Sequence, residues 1–302
     1  MKKSTAWFLA IMGILLFFGL GVMLFFYVLF ISPSDEDEIV LGGGSKVAVV
    51  ELRGVISASE DIVRQLKKFR DDSSVKAIVL RVDSPGGGVA ASQEMYEEVK
   101  KTRLGKPIVV SMGSVAASGG YYVSCGASKI VANRGTLTGS IGVISEFMRF
   151  DPMLDKVGVS VNTIKSGKLK DAGSPFRKMT DEDKRYFQDL MDEVHRQFIS
   201  VVEVERKIDH DELVRFADGR VFTGEQACSL RLDDTLGTYE DAVALAAHLA
   251  GIKGKPAIIR ERKHKATVLD VLFGQSKVSD LLNLKDDLLN QPILQYKMVP
   301  GF

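Results

Sequence analysis

The chain has 302 residues, of which 45% are hydrophobic and 26% charged, and a formal net charge of +1. That near-neutral balance lacks the basic footprint that nucleic-acid binding requires. Two cysteines, Cys125 and Cys228, exclude a disulfide framework and a cysteine zinc site, and are read as two buried thiols in preference to a single pair.

Residues 6–31 carry no charge. As a helix rising about 1.5 Å per residue they exceed the roughly 30 Å hydrocarbon core of a bilayer. The run is too long for the apolar region of a cleaved signal peptide, and Phe30-Ile31-Ser32-Pro33 offers no small-x-small cleavage site. A retained transmembrane helix over 1–31 is therefore expected, in preference to a buried helix of a soluble domain. Lys2 and Lys3 would stay in the cytoplasm, leaving the remainder on the extracytoplasmic side of the cytoplasmic membrane. Residues 32–45, acidic at Asp35, Glu36, Asp37 and Glu38 and then Gly42-Gly43-Gly44, read as a linker.

Residues 46–250 read as the globular domain. Strands are expected over 46–53, 75–82, 107–112 and 129–132, with helices over 59–71 and 89–102. Thr138-Gly139-Ser140-Ile141-Gly142-Val143 is assigned to a strand with a loop before it, 159–164 to a further strand, and 165–176 to a loop. A long helix starts at Thr180. Its Phe187, Leu190, Met191, Val194, Phe198, Val201 and Val202 recur at helical spacing and are read as core. His195 on that helix has no partner motif and is read as a surface or core histidine. A short helix follows Asp211, and another covers 239–250. Apolar strands each followed by a helix argue for a parallel sheet covered on its faces. Residues 251–302 form a C-terminal extension, partly helical or mobile. It is basic over 253–265 and amphipathic over 268–289, and its last dozen residues read as a mobile tail.

Two stretches carry possible chemistry. Gly86-Gly87-Gly88 follows a strand and precedes a helix, which leaves main-chain N–H groups free to face an anion or oxyanion. A plain strand-to-helix turn is the alternative, and no Gly-Lys-Ser/Thr follows to make a P-loop. Ser118, between Ala117 and Gly119, joins a buried strand to a helix start, where it is either a nucleophile or an N-cap. A serine nucleophile needs a base. His195, His210, His248 and His264 all lie outside the glycine-rich segments, so nothing points to a Ser-His-Asp triad. A lysine, with a free pKa of about 10.4, serves if burial lowers it by several units. Lys165, Lys168 and Lys170 are the candidates, each also readable as a solvated surface lysine, and the residues alone do not choose among them.

Five ordered segments carry a resemblance. They are Asp83-Ser84-Pro85-Gly86-Gly87-Gly88, Ala117-Ser118-Gly119-Gly120-Tyr121-Tyr122, Thr138-Gly139-Ser140-Ile141-Gly142-Val143, Lys168-Leu169-Lys170-Asp171-Ala172-Gly173-Ser174-Pro175-Phe176 and Gly219-Arg220-Val221-Phe222-Thr223-Gly224-Glu225-Gln226-Ala227. Together they resemble the signal peptide peptidase A family, serine–lysine peptidases of the α/β Clp/crotonase-like fold, a repeated ββα superhelix. The resemblance covers about 46–250, includes the N-terminal anchor, and fits the short, single-unit form.

Carried over residue by residue, it implies Ser118 as nucleophile, Lys170 as general base and Ser140 as the residue orienting the lysine amine. The N–H groups of Gly86 and Gly87 would form the oxyanion hole. It implies peptide substrates, remnant signal peptides among them, and no metal, nucleotide or organic cofactor. It also implies a ring-like homo-oligomer, an octamer being the candidate size, in which Lys170 reaches Ser118 of a neighbouring subunit. A dyad within one chain is the alternative. Small residues around the serine suggest a narrow pocket for a small or apolar side chain. One departure is Leu230-Arg231-Leu232-Asp233, where the family commonly has a glycine, so this turn is expected to differ. An acyl-thioester hydratase of the same fold and a membrane scaffold with a decayed site are the rival functions.

Overall fold

The computed structural model describes residues 7, 12–13, 16–23, 38–40, 45–261 and 295–298. The chain divides into two compact units, Met1–Glu38 and Ile39–Phe302. In the first, residues 16–23 are helical and their apolar side chains are exposed. Among the described residues no helix is long and apolar enough to cross a membrane. Most of the expected 1–31 anchor, and the amphipathic 268–289 stretch, lie outside the described residues.

In chain order, β1 (Glu38–Val40) and β2 (Lys46–Arg53) precede helix α1 (Glu60–Asp71). Then come β3 (Val75–Ser84), β4 (Gly86–Gly88), α2 (Val89–Arg103), β5 (Ile108–Ala117), α3 (Gly119–Cys125), β6 (Lys129–Ala132) and β7 (Leu137–Gly139). Helices α4 (Asp151–Lys156), α5 (Asp181–Arg206) and α6 (His210–Leu213) follow, then β8 (Val221–Thr223), α7 (Gly224–Ser229), β9 (Thr235–Leu236), α8 (Tyr239–Leu249), β10 (Ala257–Arg260) and β11 (Gln295–Lys297).

The main sheet runs β1-β10-β2-β3-β5-β6-β9, and the pairs from β10 to β9 are all parallel. A branch off β5 makes the sheet mixed, since β7 pairs parallel with β5 and antiparallel with β8. Side chains alternate across a strand, and the sheet accordingly has two apolar faces. Val50, Leu80, Val110 and Met112 join α1, α2, α3 and α5 in one core. Val47, Val49, Val79 and Val109 join Ala242, Val243 and Ala246 of α8 in the other. This is the covered sheet that the apolar runs predicted.

Three expectations fail locally. Residues 159–164 form no strand: Val159, Val161 and Ile164 are exposed, and among the described residues none of the six pairs with a strand. The strand assigned to 138–143 stops at Gly139, because Ser140 turns the chain with φ 51°. The mobile-tail expectation fails for residues 295–298, which contribute β11. At the Leu230–Asp233 turn, where a departure from a glycine turn is expected, Arg231 takes the left-handed backbone itself, at φ 63°.

Candidate active site

Strand β5 runs up to Ser118, five residues beyond its expected end. Ala117 at its last position pairs with Gly139, the last residue of β7, and a serine follows on each strand. Ser118 and Ser140 both turn left-handed, at φ 52° and 51°. Such backbone costs a non-glycine residue about 1–3 kcal/mol and persists only where the surroundings enforce it. Here the Ser118 N–H donates to Gly139 O at 2.8 Å, and the Ser140 N–H to Arg220 O at 2.8 Å. Helix α3 then starts at Gly119 and is buried along its whole length. Gly120 is needed for close approach, since a methyl group there would stand 2.9 Å from Ser84 O.

The turn leaves Ser118 only 1% exposed, with an Oγ that has no hydrogen-bond partner among the described residues. A buried hydroxyl ordinarily finds a partner, because leaving it without one costs about 1–3 kcal/mol. Ser118 thus has the burial and the strain, but not the satisfaction, of a structural serine.

Beside it lies β4, whose three glycines form a strand rather than a bare loop. The Gly86 N–H donates to Ser84 Oγ at 3.1 Å and the Gly88 N–H to Ile56 O at 2.7 Å. Of the expected pair of oxyanion donors, Gly86 is therefore already engaged. Gly87 differs: it pairs with Tyr296 of β11, which runs antiparallel to β4. The flanking bond from Met298 N–H to Pro85 O, 2.7 Å, puts Gly87 and Tyr296 at a hydrogen-bonded position of that ladder. A methyl group on Gly86 would stand 2.0 Å from the Tyr296 carbonyl oxygen and 2.6 Å from the Gly119 nitrogen. The Tyr296 carbonyl thus lies at the start of α3, next to the residue that follows Ser118.

The tail is gripped on its other edge too. Ile144 N–H donates to Gln295 O at 3.0 Å, and Gln295 N–H to Ile144 O at 3.2 Å. An extended segment held by backbone bonds on both sides is how a peptide occupies a groove. The Tyr296 side chain is fully buried against Tyr122 and Phe198. Sequence reasoning missed this partner, for nothing in Gln295-Tyr296-Lys297 sets it apart from other short β-prone runs. Past Tyr296, Lys297 and Met298 line a cavity of about 700 Å³ together with Ser140, His195 and Gly219. His195 is half-buried, and its Nε2 lies 2.8 Å from Ala217 O and 3.2 Å from Ile141 O, so it ties α5 to the Ser140 turn.

Lys170 makes no hydrogen bond to Ser118. It is exposed, and among the described residues its ammonium has no hydrogen-bond or ion-pair partner. Its two rivals do: Lys165 pairs with Asp171, and Lys168 with Glu182. The Lys170 loop is fixed by Arg177, which donates to Asp171 Oδ1 at 2.9 Å and to Asp183 Oδ2 at 2.5 Å. Asp183 also closes the capping box with Thr180 at the start of α5. Arg177, aided by Lys165 at Asp171 and by Thr180 at Asp183, holds both carboxyls well below the usual carboxylate range. The surrounding 148–176 segment exposes Met148, Met153, Val157, Val159, Val161, Ile164 and Phe176.

Of the two thiols, Cys125 is buried and desolvation pushes it up to about 12, while Cys228 is half-buried; both are free. Among the described residues no cluster of histidine, cysteine and acidic side chains could hold a metal ion.

Comparison with known proteins places this geometry. The profile of "Peptidase family S49" matches residues 100–253, and that of "Clp protease" matches 49–144. The chain is 43% identical to a provisionally named protease of Synechocystis sp., over 68% of this chain and 75% of that one. It is 40% identical to a provisionally named signal peptide peptidase SppA of Enterococcus faecium, over 70% of this chain and 66% of that one. It is 39% identical to Protease 4 of Salmonella typhi, over 74% of this chain but only 36% of that longer protein. The fold is thus an α/β fold of the Clp-protease type with a mixed sheet. The chain belongs to peptidase family S49 and is a peptide hydrolase.

Proposed function

We infer that this protein is a membrane-anchored serine endopeptidase with a Ser118–Lys170 dyad, acting outside the cytoplasmic membrane on remnant signal peptides and other short apolar peptides. The observation that carries the reading is Ser118 itself: a buried, strained serine with an unpartnered hydroxyl, next to a peptide carbonyl held in an extended groove. The anchor rests on the uncharged 6–31 run. The substrate class rests on the names of the relatives.

Ser118 Oγ attacks the carbonyl carbon of a residue lying where Tyr296 lies. Its proton passes to the neutral amine of Lys170. The developing oxyanion accepts hydrogen bonds from the Gly87 and Gly119 N–H groups, which are already in place before the charge forms. Lys170 then gives the proton to the leaving amine. Water, deprotonated in turn by Lys170, hydrolyses the acyl-Ser118 ester and frees the new carboxylate. In this reading Ser140, which follows the Ala117–Gly139 pair, orients the amine.

Within one chain Lys170 and Ser118 do not hydrogen-bond, so the reading assigns the base to a neighbouring copy in a ring-like homo-oligomer. The exposed apolar side chains flanking Lys170 support this. Covering them against a second copy removes water from the ammonium and favours the neutral amine. A fluorophosphonate probe tests the nucleophile. It should label the wild type at Ser118 and leave Ser118→Ala unlabelled; labelling that persists in that variant would refute the assignment.

A further inference from the structure

Strand β5 changes neighbours midway. Val109 to Ser111 pair with β6, and Val115 to Ala117 pair with β7. Between those two ladders its register against β3 slips. Val82 lies opposite Met112 but Ser84 lies opposite Ala116, so β5 carries two residues more than β3 over the same span. Such a bulge leaves backbone groups without ladder partners, and here side chains supply them. Arg81 Nη1 donates to Met112 O at 2.9 Å, Thr136 Oγ1 donates to Gly113 O at 2.7 Å, and the Val115 N–H donates to Asp83 Oδ1 at 3.1 Å. Thr136 is 1% exposed, and its hydroxyl in turn accepts from the Asn133 N–H at 3.2 Å. The Asp83 carboxylate lies against the bulge itself, since a methyl group on Gly113 would stand 2.7 Å from Asp83 Cγ.

We propose that Asp83 is a positioning residue for the nucleophile. Its carboxylate, with the Thr136 hydroxyl, holds the bulge that sets Ser118 beside the glycine strand. An excess of two residues preserves which side chains face which side of the sheet. It also draws the end of β5 back by about 6–7 Å, at roughly 3.3 Å per residue. The register that pairs Ser84 with Ala116 runs on to Gly86 and Ser118. That closeness is seen in the next residue: a methyl group on Gly86 would stand 2.6 Å from the Gly119 nitrogen. Were the register before the bulge continued, Gly86 would lie opposite Ala116, and Ser118 would overshoot the Gly87 N–H that serves the oxyanion. Asp83 moves no proton and touches no substrate; it acts through Val115, on the strand that ends at Ser118. The inference rests on the serine-peptidase reading above and deepens it.

The test compares full-length wild type with three full-length variants. Asp83→Asn keeps an oxygen acceptor for the Val115 N–H, Asp83→Ala removes it, and Thr136→Val keeps the side-chain shape but loses the hydroxyl. Peptide hydrolysis gives kcat and KM. Each kcat is referred to the serines that a fluorophosphonate probe labels at completion, so unfolded protein does not count. Asp83→Ala and Thr136→Val should lower kcat by about 30- to 100-fold, the scale of a misplacement of about 1 Å, with KM within about 2-fold of wild type. Asp83→Asn should keep at least about a third of the wild-type kcat, with a pH profile that superimposes on that of the wild type, because an acceptor and not a charge is used. Thr136→Val decides by itself if Asp83→Ala yields no folded protein. An unchanged kcat, a loss confined to KM, or an Asp83→Asn variant as impaired as Asp83→Ala would overturn the inference and leave the peptidase reading standing. A wild type in which Ser118 stays unlabelled would overturn both.

Discussion

Ser118 and Ser140 occupy equivalent places on neighbouring strands: each follows the last ladder pair, Ala117–Gly139, and each turns left-handed, at 52° and 51°. The shared turn presents two hydroxyls at one end of the sheet, at a conformational cost that no packing need explains. Ser118→Gly should therefore stabilise the fold by about 1 kcal/mol while abolishing hydrolysis. Thermal unfolding and a peptide assay on the same sample check this; a glycine variant less stable than wild type would show that the Ser118 side chain contributes to the fold.

In the proposed reading the tail occupies the groove in which a substrate would lie. Added peptide must displace β11 from β4, together with the buried Tyr296 ring. Tyr296→Ala removes most of the apolar anchor, on the order of 2–3 kcal/mol. Initial rates on added peptide should rise at least 10-fold; unchanged rates would mean that the tail leaves the groove freely.

Burial against α3 and the start of β9 sets a pH dependence unrelated to the dyad. Asp233 is 2% exposed, neither carboxylate oxygen has a hydrogen-bond partner among the described residues, and desolvation pushes it up to about 7 against the opposing pull of Arg206. The folded state thus holds a proton that the unfolded chain, titrating near 4, has released. This contribution to stability is complete below about pH 4, declines as pH rises to about 7, and is flat above; the total is on the order of 2–4 kcal/mol. Asp233→Asn should lack that decline. Denaturant midpoints for both proteins between pH 4 and 8 should diverge as pH rises, and parallel curves would contradict the assignment.

Arg177 is the residue that shapes the Lys170 loop, through Asp171 on one side and Asp183 at the head of α5 on the other. Arg177→Ala frees the loop without touching β4 or β5. We expect kcat to fall by about 10- to 100-fold, as for other losses of positioning, with the peptide KM changed little. An unaltered kcat would show that the loop is set by other contacts.

Much of the fold was legible because its signals are local. The β-branched run over 75–82 and the glycine-flanked Ser118 each announce a strand, a turn or a helix start within a few residues. What could not be read depends on distant partners. The alternation over 159–164 resembles a strand, but a strand needs a neighbour, and sequence does not say that none is near. The same limit concealed β11: Gln295 to Lys297 becomes a strand only because β4, about two hundred residues earlier in sequence, offers an edge. That the Gly86 N–H is engaged by Ser84 Oγ was hidden for the same reason, since that bond is a property of the folded turn.

The central claim is that catalysis joins Ser118 of one copy to Lys170 of another. The direct measurement mixes inactive Ser118→Ala and Lys170→Ala proteins, allows subunits to exchange, and assays peptide hydrolysis. Sharing across a ring predicts recovery to about a quarter of the wild-type rate in an equal mixture, since that fraction of sites pairs an intact serine with an intact lysine. A mixture that exchanges subunits and stays inactive would contradict the account.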